Sequence, residues 1–598
     1  MSVYVSPVKD MQFVMENVAG LSRVQQLPGF SDAGNDIVEA VLDEAGKFAA
    51  QLIAPLNAGA DKQGARLVDG QVEASPGFSE AYKAFVEAGW ASLSYDPQYG
   101  GQGLPHVLGT AVAEMWQSAS LAFALCPMLT ASAVSAVHRH GSDELKQIFL
   151  EKLISGEWTG TMQLTEPQAG TDLAAIKTRA VPTTDAAGKP AYRLSGQKIF
   201  ITWGDHQMTD NVLHLILARV EGAPEGIRGL SLFLAPKYLL DENGKPGDRN
   251  DIYALSLEHK LGIHGSPTCV MGMGDKGGAL AYLVGEENQG INCMFTMMNN
   301  ARLEVGVQGL AISERAFQQA RAYAGERVQG TAKDGTKQRI IDFPDVRRML
   351  MLMKSQTEAM RALALMTAAQ IDLADHADDA AQRKAAQARV DLLIPVVKGW
   401  CTETAQEITG LNVQVHGGMG FIEETGAAQH YRDARILTIY EGTSGIQAND
   451  FAGRKTLRDG GAAAKALIKD IRETVSTMLS AGGITGTLAS QLAAACDGYE
   501  HSVNTLLARA GEDAGHAGAA AFNLLMQAGV VIGGWLMGQA ALAAEAKLAA
   551  GDGEADFLNA KLASCRFYFA HVLPRATAYA AVVQAGSACL MEPDESLI

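Results

Sequence analysis

The hydrophobic period of this chain changes twice, and that limits the folds open to it. Up to about residue 160, apolar residues recur at helical steps. Across residues 35–56, Ile37, Val41, Ala45, Phe48 and Leu52 lie three and four apart, an amphipathic pattern. Residues 78–85, 108–121 and 145–153 read as further helices, and 96–103 as a loop by its proline and glycines. Near Gly160 strand-length runs take over: 192–201, which alternates around a turn in its middle, then 212–217, 230–234 and 279–284. Clusters of Gly, Pro, Asn and Asp separate them, so residues 161–290 are expected to form an antiparallel β domain. Helical spacing returns after Gly290. A helix is expected over 302–326. Pro344 sits where a first-turn proline belongs, and a further helix over 392–408 stops at Gly410. Residues 459–464 read as a hinge, and the rest is alanine-rich and helical, broken at 481–483 and 551–553. The expected fold is mainly α with a central β domain: helical 1–160, β 161–290, helical 291–458 and a C-terminal helical extension 459–598.

A chain of 598 residues has room for several domains, and 47% hydrophobic with 19% charged residues describes a folded protein. The net charge of −17 argues against nucleic-acid binding, which needs concentrated Lys and Arg, but leaves room for an anionic small ligand. Seven cysteines are scattered without a Cys-x-x-Cys pair, so no metal site is expected, and an odd count suits reduced thiols in the cytoplasm. Residues 1–6 lack a basic region followed by an apolar run, so no signal peptide is expected. Residues 522–544 carry no charge and are long enough to span a bilayer. They also hold Asn523, Gln527 and Gln539, and no basic cluster flanks them. A buried bundle helix is the expectation and a membrane span the alternative.

One stretch concentrates the chemistry: Ile439, Tyr440, Glu441, Gly442, Thr443, Ser444. A carboxylate stands between an aromatic residue and a glycine, in a loop flanked by helical sequence. Glycine permits close approach of a ligand, and a desolvated carboxylate can serve as a base. A helix-capping loop is the competing reading. Upstream stand Leu164, Thr165, Glu166, Pro167, Gln168, Ala169, Gly170, Thr171 and Asp172. Then come Phe200, Ile201 and Thr202, then Arg302 and Arg327, then Gln414, Val415, His416, Gly417, Gly418, Met419 and Gly420. This ordered set resembles the acyl-CoA dehydrogenase flavoproteins. The resemblance covers residues 30–455 by motif. The length beyond suggests the large bacterial branch, which includes long-chain acyl-CoA and 3-methylthiopropanoyl-CoA dehydrogenases.

The resemblance implies FAD as cofactor and α,β-dehydrogenation of an acyl-CoA thioester, most simply a fatty acyl-CoA of β-oxidation. Glu441 would take the α-proton, and its own backbone N–H would polarise the thioester carbonyl, for which Gly442 leaves room. Leu164 and Thr165 would lie along the flavin ring; their other reading is a turn. Thr171 would contact ligand phosphate or pantetheine. Phe200 would cover the flavin face, with Thr202 at its N5 side. Arg327 would grip the FAD pyrophosphate of a neighbouring subunit; its other reading is a helix-end arginine. Gln414, Gly417 and Gly418 would take the adenosine diphosphate, Thr443 would touch FAD, and Arg302 would contact the CoA adenine side. His416 is expected to pack or bond locally. Three departures bear on these contacts: Val328, Gln329 and Gly330 follow Arg327, Gly445 replaces a glutamine, and Asn299 stands for the usual aspartate among the substrate contacts. Electron transfer flavoprotein is the expected electron acceptor, a dimer the expected assembly and the cytoplasm the expected compartment; membrane contact is not expected. An oxygen-using acyl-CoA oxidase, a flavin monooxygenase and an inactive scaffold are the rival readings.

Overall fold

The computed structural model describes residues 3–597. The chain forms two compact units: Phe48–Leu104 with Ala119–Ala301, and Met1–Lys47 with Pro105–Ser118 and Arg302–Ile598.

The first unit is built on an eight-stranded sheet: β1 Thr159–Gln163, β2 Arg179–Thr184, β3 Pro190–Thr202, β4 Val212–Val220, β5 Leu230–Pro236, β6 Ile252–Leu257, β7 Thr268–Met273 and β8 Ala279–Val284. The order is β6-β7-β3-β8-β5-β4-β1, with β2 pairing β3 and β4. Most pairs are antiparallel, as expected, but β1 and β2 each run parallel to β4. Leu213, Leu215 and Leu217 face one apolar core and Ile216 and Ala218 another. Covering both faces explains why β4 and β5 read as unbroken apolar runs. The turn expected inside 192–201 does not form. β3 is one strand whose first half pairs β2 and whose second half pairs β7. Gly196, at φ +148°, marks that change of partner, and a Cβ there would lie 2.7 Å from Thr178 Oγ1. Sequence reading also missed helix Leu121–His140, almost wholly buried and carrying Pro127 inside it.

The second unit is helical. Three long helices organise it: α1 Gly290–Glu326, which enters from the first unit, α2 Pro344–His376 and α3 Ala380–His416. Pro344 opens α2 as expected. α3 does not stop at Gly410. The backbone there stays helical, and α3 ends on Gly417, whose φ of +60° breaks the ladder. α1 and α3 approach closely through glycines. A Cβ on Gly306 would lie 2.4 Å from Val397 Cγ1, and one on Gly309 would lie 2.7 Å from the Cys401 carbonyl oxygen. After the short helix α4 Ser444–Asn449, the expected hinge is instead an ordered helix start. Both Asp459 carboxylate oxygens accept backbone N–H groups, from Gly461 (2.8 Å) and Ala463 (2.9 Å). The uncharged stretch 522–544 lies inside α5 His516–Ala550, a helix mostly buried within the protein. Its glycines seat neighbours: Gly529 meets Trp400 and Gly533 meets Tyr568 of α6 Ala555–His571.

Candidate active site

In the helical unit, Glu441 stands at a backbone φ of +55° and Gly442 at +86°. A non-glycine residue in the left-handed region is costly and survives only where its surroundings impose it. Here they do. Lys398 Nζ of α3 donates to the Gly442 carbonyl at 2.7 Å. Gln447 Nε2 of α4 reaches both the Glu441 carbonyl (3.1 Å) and the Gly442 carbonyl (3.2 Å). Thr443 caps α4, its hydroxyl oxygen accepting the Ile446 N–H, and the Ser444 hydroxyl donates to Glu403. The loop is therefore a capping loop, as the plainer reading held, but Thr443 does the capping. Among the described residues no hydrogen bond engages the Glu441 carboxylate.

That carboxylate belongs to a half-buried residue. Burial pushes its pKa up to about 7, against the opposing pull of Arg302 and Lys398. The same burial brings the Lys398 ammonium down to about 7, although Glu441 and Glu403 support its charge. Burial together with Glu441 raises the Tyr440 hydroxyl well above its ordinary value. Arg302 is buried and pairs with Asp450 (3.2 Å), which also holds Arg454 (2.7 Å). Its charge acts on Glu441. Asn299 is exposed on α1.

In the sheet unit, the loop after β1 carries Leu164 and Thr165. Glu166 fastens it to β3. Its buried carboxylate accepts Lys198 Nζ (2.9 Å) and the backbone N–H groups of Lys177 (2.8 Å) and Thr178 (3.0 Å). Burial opposes this charge, but Lys198 and the other donors hold the Glu166 carboxyl down to about 2. Lys198 also donates to the Leu164 carbonyl (3.0 Å), and the Ile199 N–H donates to the Thr165 carbonyl (2.9 Å). Sequence reading passed over this role of Glu166 and Lys198. Beyond this anchor, Phe200 is held at φ +60° with 58% of its surface exposed, and Thr202 ends β3. Thr171 is exposed in the following loop.

The remaining candidates lie on the helical unit. Arg327 follows α1, its backbone pinned by the Ile340 N–H (2.8 Å) and its side chain exposed. The residues after it form a small hairpin, Val328–Thr331 with Lys337–Arg339. Gln414, Gly417 and Gly418 lie exposed at the end of α3, and a Cβ on either glycine would meet nothing within 4 Å. His416 behaves as expected: Nδ1 bonds the Asn412 carbonyl (2.8 Å) and the ring stacks on Tyr323. Each unit, taken by itself, leaves polar groups open to a ligand. Among the described residues the Thr165 and Thr202 hydroxyls, the Gln414 amide and the Arg327 guanidinium take no internal partner, the glycines leave open backbone, and Phe200 offers a bare ring.

The same order of parts recurs in known proteins. Four family models match in turn: the acyl-CoA dehydrogenase N-terminal domain over residues 35–157, the middle domain over 161–275, the C-terminal domain over 288–455, and an acetyl-CoA dehydrogenase C-terminal-like domain over 467–594. A 3-methylmercaptopropionyl-CoA dehydrogenase of Ruegeria pomeroyi is 48% identical across 96% of this chain and 97% of its own. FadE5 of Mycobacterium tuberculosis, a broad-specificity linear acyl-CoA dehydrogenase, is 34% identical over the full length of both. Among solved structures, an acyl-CoA dehydrogenase of Bacillus anthracis complexed with FAD shares the fold at a TM-score of 0.74 and 20% identity, covering 98% of this chain and 93% of that one. With its full length matched and a desolvated carboxylate on a strained turn, the chain belongs to the acyl-CoA dehydrogenase family of oxidoreductases.

Proposed function

We propose that this protein is an FAD-dependent dehydrogenase that converts an acyl-CoA thioester to its trans-2-enoyl-CoA, with Glu441 as the base. The observation that carries this reading is Glu441 itself: half-buried on a left-handed turn, its carboxylate free of hydrogen bonds among the described residues and pushed up to about 7 by burial. A base working near neutral pH needs a pKa in that range. Bound FAD supplies the two-electron acceptor for the hydride that leaves Cβ. Thr165 and Thr202 would hold its ring and Phe200 would cover it; Gln414, Gly417 and Gly418 would take the adenosine diphosphate, Thr443 would touch the cofactor, and Arg327 would grip the pyrophosphate of a neighbouring subunit's FAD. Thr171 contacts ligand phosphate or pantetheine, and Asn299 the CoA portion. Glu441 accepts the Cα proton and is neutralised by it, while its backbone N–H polarises the thioester oxygen. Arg302 lends positive charge to the carboxylate before transfer.

For the substrate, the 48% identity to a 3-methylmercaptopropionyl-CoA dehydrogenase across nearly the whole chain favours a short sulfur-bearing acyl group over the fatty acyl-CoA of β-oxidation expected from sequence. Electrons pass to electron transfer flavoprotein, the working unit is a dimer and the compartment is the cytoplasm. An anaerobic titration with a panel of acyl-CoAs, following flavin absorbance in wild type and Glu441→Gln, tests the reading. Bleaching by a 3-methylthiopropanoyl thioester in wild type and none in the variant supports it. Stronger bleaching by long straight chains returns the fatty acyl substrate, and a yellow protein that no thioester bleaches overturns the reaction. Peroxide formation on turnover in air without an electron carrier marks an oxidase instead.

A further inference from the structure

We propose that Lys398 is the positioning residue for the base, holding the turn that presents Glu441 and supplying the positive charge that keeps its carboxylate available. The inference rests on the reading of Glu441 as the base and adds a partner to it. Lys398 lies on α3 with its side chain fully buried. An ammonium has three donors, and one of them goes to the Gly442 carbonyl at 2.7 Å. Among the described residues no carboxylate lies within ion-pair distance of it. A buried ammonium without a direct counter-ion is expensive. A hydrogen bond to a carbonyl does not explain that expense, because a neutral amide could make it. Gln447 already does, bonding the carbonyls of both Glu441 and Gly442. What Lys398 alone brings to this turn from α3 is charge.

The packing makes the placement firm. Gly306 and Gly309 of α1 seat Val397 and Cys401, one residue before and three residues after Lys398 on α3. The charged groups around the pair come from three elements. Arg302 reaches in from α1, and Glu403 lies one turn along α3 from Lys398. Asp450, with Arg454 on its other oxygen, neutralises Arg302 from the segment after α4. Arg302 also acts on Glu441 but is paired with Asp450, whereas Lys398 has no carboxylate within ion-pair distance among the described residues. During turnover Lys398 forms and breaks no covalent bond. The α-proton moves to the Glu441 carboxylate, and the attraction between the two side chains lapses as the base becomes neutral.

The test compares Lys398→Met, Lys398→Gln and Lys398→Arg with the intact holoenzyme. pH-difference infrared spectra of the resting protein, with the Glu441 band assigned by Glu441→Gln, give the midpoint of that carboxyl group. Stopped-flow flavin reduction gives the rate against pH. Losing a nearby cation raises a carboxyl pKa, so both neutral variants are expected to move the midpoint up by about one unit or more, and the rising limb of the rate profile with it. Lys398→Arg is expected to keep the midpoint near wild type. An unmoved midpoint in the neutral variants overturns the proposal. So does an equal shift in Lys398→Arg, which would assign the residue to packing. Because the infrared midpoint needs no thioester, a protein that couples Lys398 to Glu441 but reduces no flavin refutes the dehydrogenase reading and, separately, records the coupling.

Discussion

Glu441 combines two unfavourable features, a left-handed backbone and a half-buried carboxylate that takes no hydrogen bond among the described residues. Backbone strain of this kind costs about 1–3 kcal/mol and is found where it serves a site. Replacing Glu441 with Gln keeps the shape and removes the base. Flavin reduction is expected to slow by about a hundredfold to ten-thousandfold, the span that a positioned base contributes, while the acyl-CoA still binds. In wild type the reduction rate rises with pH through about 7, because only the ionised carboxyl accepts a proton. The stability effect has the opposite sign. The folded-state pKa lies above the ordinary 4.5, so the carboxyl costs nothing below 4.5 and a fixed amount above about 7. Glu441→Gln is therefore expected to melt higher than wild type well above pH 7 and level with it near pH 4.5, which calorimetry at the two pH values checks. The sequence displayed the residue and its glycine. It did not display the sign of its φ or the charges facing it, because these arrive from other helices. One signal was available: Lys398 interrupts the apolar run from Leu392 to Cys401, where a lone charge has no solvent to face.

Among the elements, glycine was the hardest residue to read. Gly196 and Gly410 were expected to turn or stop the chain, and neither does; Gly196 instead marks a close approach, to Thr178. Gly306 and Gly309 are of that second kind. Their function depends on Val397 and Cys401, which a sequence reads as unrelated positions. Gly306→Val is expected to overpack the α1–α3 contact, destabilise the unit by about 1–3 kcal/mol and slow flavin reduction by displacing Lys398, measured by denaturant unfolding and stopped flow. The strand–loop junction gives a parallel case. The motif around Thr165 was legible, but its anchor was not, because the partner of Glu166 stands on β3, 32 residues further along the chain. Glu166→Gln leaves the Lys198 ammonium buried without its counter-charge, at a cost of about 3–5 kcal/mol. The expected outcome is a lower melting temperature and loss of flavin on dilution, seen by absorbance after gel filtration.

At the scale of the whole helical unit, distant parts of the chain meet on one buried guanidinium. Arg361 of α2 bonds Asp10 at 2.6 Å, Glu114 at 2.6 Å and Glu314 at 2.7 Å, and Lys561 of α6 joins through Asp10 and through Glu358 at 3.0 Å. The N-terminal segment, α1, α2 and the C-terminal extension are thereby tied into one charge network. The alternation of helix and strand announced the order of domains, but this network was invisible, because the partners of Arg361 stand 351, 247 and 47 residues away in the chain. Arg361→Met keeps volume and removes the charge that three carboxylates share. Breaking a buried pair from one side costs about 3–5 kcal/mol, so a large drop in melting temperature is expected. The pH dependence identifies the cause. Burial already raises the Glu114 carboxyl to about 7 with Arg361 present. Without the arginine, the Glu114 carboxyl binds its proton more tightly still in the folded state than in the unfolded one, and the penalty falls as pH drops and it becomes neutral. The melting-temperature gap between wild type and Arg361→Met is expected to be widest above pH 7 and to narrow on acidification. A gap that stays constant with pH would assign the loss to packing alone and not to charge.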